Sequence, residues 1–270
     1  MNLMEAFFSY GFLQRAVVAG IFVAIACALL GVFLILRRDA MIGHGLAHVT
    51  FAGVAIGLLL HVLPLLTALA VAVLTALMIV KLKEKAGIYG DTAIAIFSSV
   101  GFALGILIIS LARGFNVDLF GYLFGDILAI SVSEVWLSIA LAVVVVIIII
   151  VNYHKFLFMT FDRETAKASG VKVERLDIIL TILTAITVVL GMKVVGILLV
   201  SALIVIPSAS GLQIASNFKY ATIVSAIIAV SSVVLGLFAS VYFDFPASGS
   251  IVVISFTLFL LIFAVKQLRK

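Results

Sequence analysis

Apolar runs of about twenty residues recur along the whole chain, separated by short polar breaks. Each run is long enough to cross a hydrocarbon core of roughly 30 Å as a helix. The pattern predicts an all-α, polytopic integral membrane protein. It forms one domain over residues 1–270, with nine spans at 13–36, 43–60, 64–82, 91–111, 132–152, 174–191, 194–212, 219–242 and 249–266. One join is doubtful. The apolar stretch from Ile178 to Pro207 is too long for an ordinary span and is interrupted by Lys193, so it is divided at Gly191-Met192-Lys193. Eight spans with one long, broken helix is the alternative. The first run lacks a basic leader and an A-x-A-like site, so it reads as a span and not as a cleaved signal.

Composition agrees: 66% of the 270 residues are hydrophobic and 11% charged, far from the soluble norm. The lone cysteine, Cys27, falls inside the first span, which leaves no disulfide and no thiolate site to build. The net charge of +5 is not a nucleic-acid footprint, because the basic residues sort by membrane side. With the N-terminus outside and the C-terminus in the cytoplasm, fourteen of the seventeen Lys and Arg residues face the cytoplasm. Only Arg15, Arg113 and Lys193 stay outside, with Glu5, Asp118, Asp126, Glu134 and Asp244. A cation arriving from outside would meet a mildly acidic surface.

The second run opens with MIGHGLAHVTFAGVAIG, from Met41 to Gly57, just after Arg37 and Arg38. His44 and His48 stand four residues apart, which stacks both imidazoles on one helix face. Gly43, Gly45, Ala47, Ala52, Gly53, Ala55 and Gly57 surround them. Small residues let helix backbones approach closely in lipid, and imidazoles inside a span are costly unless they act. This pattern predicts a metal path where the helix meets a partner subunit. The structural alternative is that each imidazole hydrogen-bonds a neighbouring helix.

Two connecting segments carry further information. NYHKFLFMTFDRETAKASGVKVER, between spans five and six, is the longest cytoplasmic loop. Within it Asp162–Ser169 reads as a short helix that Thr160 or Asp162 caps at its start and Gly170 at its end. Such a helix is either a docking element for a soluble partner or an ordinary connector. NVDLFGYLFGDILAI, between spans four and five, is too apolar for a solvated loop and too short to span, so it re-enters the membrane or lies along it. Gly53 and Gly57, Gly101 and Gly105, and Gly121 and Gly125 form small-x-x-x-small pairs that close packing explains. Pro207 should kink span seven, with Ser208 and Ser210 satisfying the freed backbone groups. Asp244 and Pro246 form a tight outer turn, and Asp91 starts span four at the inner surface. There is no P-loop, no H-E-x-x-H and no nucleophile elbow. Carboxylates are absent from the middle of every span, which disfavours a proton-driven relay.

Taken together, GVFLILRRDAMIGHGLAHVTFAGVAIG, GDTAIAIFSSVGFALGI, LFGYLFGDILAI, FDRETAKASGV, VGILLVSALIVIPSAS and the SGSIVV turn resemble a known family over about Phe12 to Val265. It is the permease subunits of bacterial metal-ion ABC importers, the zinc, manganese and iron uptake class. The resemblance implies a multi-pass protein of the bacterial cytoplasmic membrane, in contact with lipid and not with nucleic acid. It is a transport subunit and not itself an enzyme. Its implied partners are a second permease copy or paralogue, cytoplasmic ATP-binding subunits and an extracytoplasmic metal-binding protein. The segment within about 160–171 resembles the family's ATPase coupling helix, which gives Asp162, Glu164, Ala166, Lys167, Ala168, Ser169 and Gly170 that role. At the opening stretch the family pattern is G-D-x-x-S-H. Here His44 replaces the acid and Ala47 the serine, while His48 is retained, so the resemblance assigns metal handling to His48 alone. His44 follows from chemistry: imidazole suits Zn²⁺, whereas carboxylate suits Mn²⁺. Two copies of the face would offer four imidazoles, as tetrahedral Zn²⁺ prefers. The expected cargo is zinc, then manganese or iron, with no tightly bound cofactor. A chelate permease for haem or a siderophore would want a wider polar vestibule, and a secondary transporter would need no ATPase.

Overall fold

A computed structural model of the chain describes residues 11–85, 90–111, 119–125, 131–197 and 199–268. All regular structure among the described residues is helical: α1 (Gly11–Leu36), α2 (Met41–Leu59), α3 (Pro64–Lys85), α4 (Gly90–Leu111), α5 (Leu119–Phe124), α6 (Val132–Val151), α7 (Tyr153–Phe161), α8 (Arg163–Ala168), α9 (Val173–Val194), α10 (Val200–Ile214), α11 (Phe218–Phe243) and α12 (Ala247–Leu268). Among the described residues, eight helices are long and apolar enough to cross a membrane. The remaining expected span is α10, whose 15 residues extend only about 22 Å at 1.5 Å per residue. Nine expected crossings therefore resolve into eight full helices and one short one.

The doubtful join also shifts. α9 continues through Lys193 to Val194, and the chain reverses over the next residues, where Gly196 takes φ +86°. Gly191 stays helical, and its missing side chain leaves room for Val200 of α10. A Cβ at Gly196 would lie 2.6 Å from the Gly125 nitrogen, and the Ile197 N–H donates to the Tyr122 carbonyl at 3.1 Å. One glycine thus serves both a left-handed turn and a close approach. The described part of the apolar segment between α4 and α6 is α5, which lies against this reversal. Asp118 and Asp126 lie outside the described residues.

α1, α2 and α9 form the buried centre, and α3, α4, α6 and α12 surround it. The outer helices display Leu74 and Met78, Val100 and Leu107, Trp136 and Ile150, and Val253 and Leu261, as a lipid-facing surface should. Lipid gives helices no gain from burying apolar faces, so association relies on close contact. Gly31 of α1 shows how: a side chain there would collide with the Ile204 carbonyl and the Ser208 hydroxyl of α10. Ser208 Oγ instead donates to the Ala28 carbonyl across the contact, at 3.3 Å. The serines do not relieve the proline as expected. α10 runs on through Pro207, whose missing N–H would have served Leu203. Ser208 bonds to α1, and Ser210 to Ile206 at 2.7 Å.

Arg38 (φ 60°), His61 (φ 53°) and Asp244 (φ 56°) occupy the left-handed region, each at a reversal between consecutive long helices. Tight reversals keep the helix ends in register. Arg37, Asp39, Lys83, Arg163 and Asp177 thereby meet at one end of the bundle, the end where the basic residues concentrate. We propose that this end is cytoplasmic. With Cys27 replaced by alanine, single cysteines at exposed Leu60 and Ser169 report the two faces. A membrane-impermeant maleimide applied to intact cells should modify the Leu60→Cys protein and spare the Ser169→Cys protein. The reverse pattern would invert the topology.

Candidate metal-ion path

α2 begins at Met41 and places His44 and His48 within its first two turns, roughly 5–10 Å along the axis from the basic end. Their Nε2 atoms lie 3.1 Å apart, and the rings meet edge to face with centroids 4.6 Å apart. Phe102 of α4 packs edge-on against His48 at 5.0 Å and holds that ring. His48 Nδ1 is buried with no partner in the chain. Two imidazole nitrogens bound to one tetrahedral Zn²⁺ at about 2.05 Å would stand about 3.3 Å apart, close to the separation seen.

The glycines around the histidines do not await a partner subunit, as the sequence reading expected. Their neighbours lie in this chain. A Cβ at Gly53 would lie 2.6 Å from the Ala68 Cα of α3, and one at Gly57 2.7 Å from the Pro64 Cα. Gly45 admits Ile94 of α4, while Gly43 admits Ile204 of α10. Gly101 and Gly105 of α4 in turn admit Val49 and Phe51 of α2. α2 is thereby enclosed on most sides. From Ile42 to Ala55 every residue is buried except His44 and His48, which are half-buried. The open strip in this half of the helix is the two imidazoles themselves. Among the described residues no group of three or more His, Cys, Asp or Glu converges; there the candidate ligands are the His44–His48 pair.

α8 matches the expected short helix. Asp162 caps it by accepting the Thr165 N–H at 3.0 Å, while Thr160 bonds back to Phe156 and takes no part. Gly170, at φ +84°, ends it. The Thr165 hydroxyl and then its backbone N–H hold the Asp162 carboxyl below its ordinary value. A depressed carboxylate stabilises the fold above its unfolded value and loses that contribution only as pH falls through its own lower one. Between neutral and mildly acid pH the cap stays intact. Ala166, expected to contribute to a docking face, is fully buried. It anchors α8, and the Val171 N–H closes onto its carbonyl at 3.0 Å. Every other residue from Asp162 to Gly170 is exposed. The Lys167–Glu174 pair at 2.8 Å raises the lysine's affinity for its proton, yet both side chains are half exposed and the pair adds little stability.

The sequence reading missed a buried ion-pair cluster beneath α8. Asp177 of α9 pairs with Arg37 of the α1–α2 reversal and, at 2.6 Å, with Arg163 of α8. Asp39 takes Lys83 of α3 at 2.7 Å and lies 3.7 Å from Arg37. The Asp39 carbonyl accepts the Ile42 N–H at 3.0 Å, which ties the cluster to the start of α2. The partners lie up to 140 residues apart, beyond any local motif. One signal was available: Asp177 sits a turn inside a span, and a buried carboxylate requires a cation.

Residues 9–266 match the ABC 3 transport family. The chain is 34% identical over 255 residues to the manganese transport system membrane protein MntC of Halalkalibacterium halodurans, covering 94% of this chain and 87% of that protein. It is 32% identical over 247 residues to the high-affinity zinc uptake system membrane protein ZnuB of Haemophilus influenzae, covering 91% and 94%. Among solved structures, PsaBC from Streptococcus pneumoniae in complex with Fab superposes with a TM-score of 0.87 at 31% identity, covering 97% and 94% of the two chains.

The cluster predicts unequal effects of its members. Asp177→Ala strands two cations and should cost on the order of 3 kcal/mol, because its carboxylate is only 10% exposed. Arg163→Gln, on a side chain 47% exposed, should cost well under half of that. Thermal unfolding of the purified variants in detergent checks the order.

Proposed function

This chain belongs to the ABC 3 transport family, and from that premise we propose that it is the permease subunit of an ATP-driven importer of a divalent transition-metal ion, with zinc the preferred cargo. The observation that carries the reading is the Nε2 pair of His44 and His48 at 3.1 Å on the open strip of α2. A second permease copy or paralogue would bring two further ligands to the same ion. Neutral imidazoles hold a dication without a compensating charge, which favours release as well as capture. A second reading, manganese, draws support from relatives named for manganese transport.

Uptake then requires a cytoplasmic ATPase to move α2. The exposed side of α8 supplies a docking surface, and Arg163, Asp177, Arg37 and Asp39 form a continuous set of contacts from it to the first turn of α2. The two carboxylates at the centre of this set are mostly buried, and pairs made to a buried carboxylate resist separation. A displacement of α8 is therefore carried to the histidines and not lost in loops. Delivery of the ion from outside would fall to an extracytoplasmic metal-binding protein.

His48→Ala should abolish metal uptake into vesicles holding the assembled transporter while the assembly itself survives. His48→Gln keeps a hydrogen-bonding group but binds metal poorly; zinc uptake at the native rate in that variant would return both histidines to a packing role. His44→Asp should raise the ratio of manganese to zinc uptake several-fold, because a carboxylate favours the harder ion. Acidification from neutral pH should slow the native protein more than His44→Asp, since protons compete for the imidazole lone pair while the Asp162 cap does not titrate in that range.

The docking surface has its own contrast. Ala168→Glu, on the exposed side of α8, should leave folding unchanged and reduce ATPase co-purification at least several-fold. Ala166→Glu places a charge in the core and should destabilise the chain before docking is measured. Normal assembly and transport in Ala168→Glu would move the docking surface elsewhere.

A further inference from the structure

Two cavities open at the basic end of the bundle, and their charges differ. The first, of about 550 Å³, is lined by Arg37, Lys83 and Arg163 but also by Asp39 and Asp177, so its cations are already paired. The second, of about 470 Å³, lies between the α6–α7 junction and the start of α9. Lys155, Lys172 and Arg175 line it, with Asn152, and its lining holds no carboxylate. The nearest acid in sequence, Glu174, is held by Lys167. The floor is apolar, built from Val171, Leu176 and Ile179. The 22-residue helix α9 opens beside it, and its N-cap, Lys172, makes no side-chain capping bond. The positive end of a long helix dipole thus adds to three cations that face no carboxylate in the groove lining.

We propose that this groove binds the phosphate headgroup of an anionic phospholipid. Charge selects an anion, and position selects a lipid. The groove lies at the end of α6 and the start of α9, both long and apolar enough to span, and the ends of spanning helices reach the headgroup region. Its apolar floor suits a glycerol backbone and the first methylenes of an acyl chain. Basic pockets between spans on the cytoplasmic side are suited to such headgroups. The lipid would tie the α6–α7 junction to the loop that follows α8. The groove borders the proposed ATPase-docking segment through Ser169 and Gly170 but includes neither histidine, so lipid binding can fail while the metal reading stands.

The test uses the full chain purified in neutral detergent and native mass spectrometry, with phosphatidylglycerol and phosphatidylcholine of matched acyl chains offered in equal amounts. The native chain should retain phosphatidylglycerol at least five-fold over phosphatidylcholine. Changing Lys155, Lys172 and Arg175 together to Gln should remove that preference, whereas Lys81→Gln with Lys266→Gln, outside the groove, should leave it. Equal retention of the two lipids by the native chain, or unchanged preference in the triple variant, overturns the proposal. If the triple variant does not fold, a photoactivatable phosphatidylglycerol on the native chain decides: crosslinks must fall within residues 152–179, and crosslinks elsewhere refute the site. Displacement of the lipid by millimolar inorganic phosphate would reduce the groove to a simple anion site. Loss of the ATPase subunit from the triple variant with lipid preference intact would assign the groove to that subunit. Either result also overturns the lipid assignment.

Discussion

In hydrocarbon an apolar helix gains no hydrophobic advantage by turning toward another apolar helix, so close packing is what holds α2. Glycines on both sides of its contacts supply that closeness. Gly53 and Gly57 receive the start of α3, and Gly45 receives α4, while Gly101 and Gly105 of α4 receive α2. With these contacts made, the first half of α2 has little surface left. His44 and His48 occupy that remainder, side by side, and Phe102 fixes the orientation of one ring. The chemistry of the open strip therefore follows from the packing of the closed faces.

The same economy governs the basic end. Three cations, from the α1–α2 reversal, α3 and α8, share two carboxylates, Asp39 of the same reversal and Asp177 of α9, and those carboxylates are mostly buried. A buried ion pair is a weak source of stability but a strong penalty on separation. Such a cluster is better suited to holding elements in a fixed relation than to strengthening the fold. It lies between a surface helix and the histidine helix, which is where motion from an ATPase would have to pass. The neighbouring groove, with cations and no acids, cannot play that part and instead presents charge to an outside ligand.

α8 illustrates how a short helix can be both anchored and available. Its cap at Asp162 and its stop at Gly170 are local, and its one buried residue, Ala166, fixes which side faces the bundle. The rest of the segment from Asp162 to Gly170 is exposed. In the docking role proposed for the exposed side, those residues define how large it is.

Much of this was legible in the sequence because its causes are local. Apolar run length predicts spans, the i, i+4 spacing puts the histidines on one face, and Asp162 with Gly170 marks the ends of a helix. Even the misplaced break near Lys193 erred by only a few residues, since a lysine near a helix end can remain helical while the following glycine makes the turn. What the sequence could not decide was which surfaces meet. It assigned the α2 glycines to a partner subunit, whereas α3, α4 and α10 use them within the chain. It treated Ala166 as exposed and left Arg37, Asp39, Lys83, Arg163 and Asp177 as unrelated charges. Small residues and lone charges carry no label for their partners. Only the tertiary arrangement determines which faces of the helices are spent on packing and which remain open.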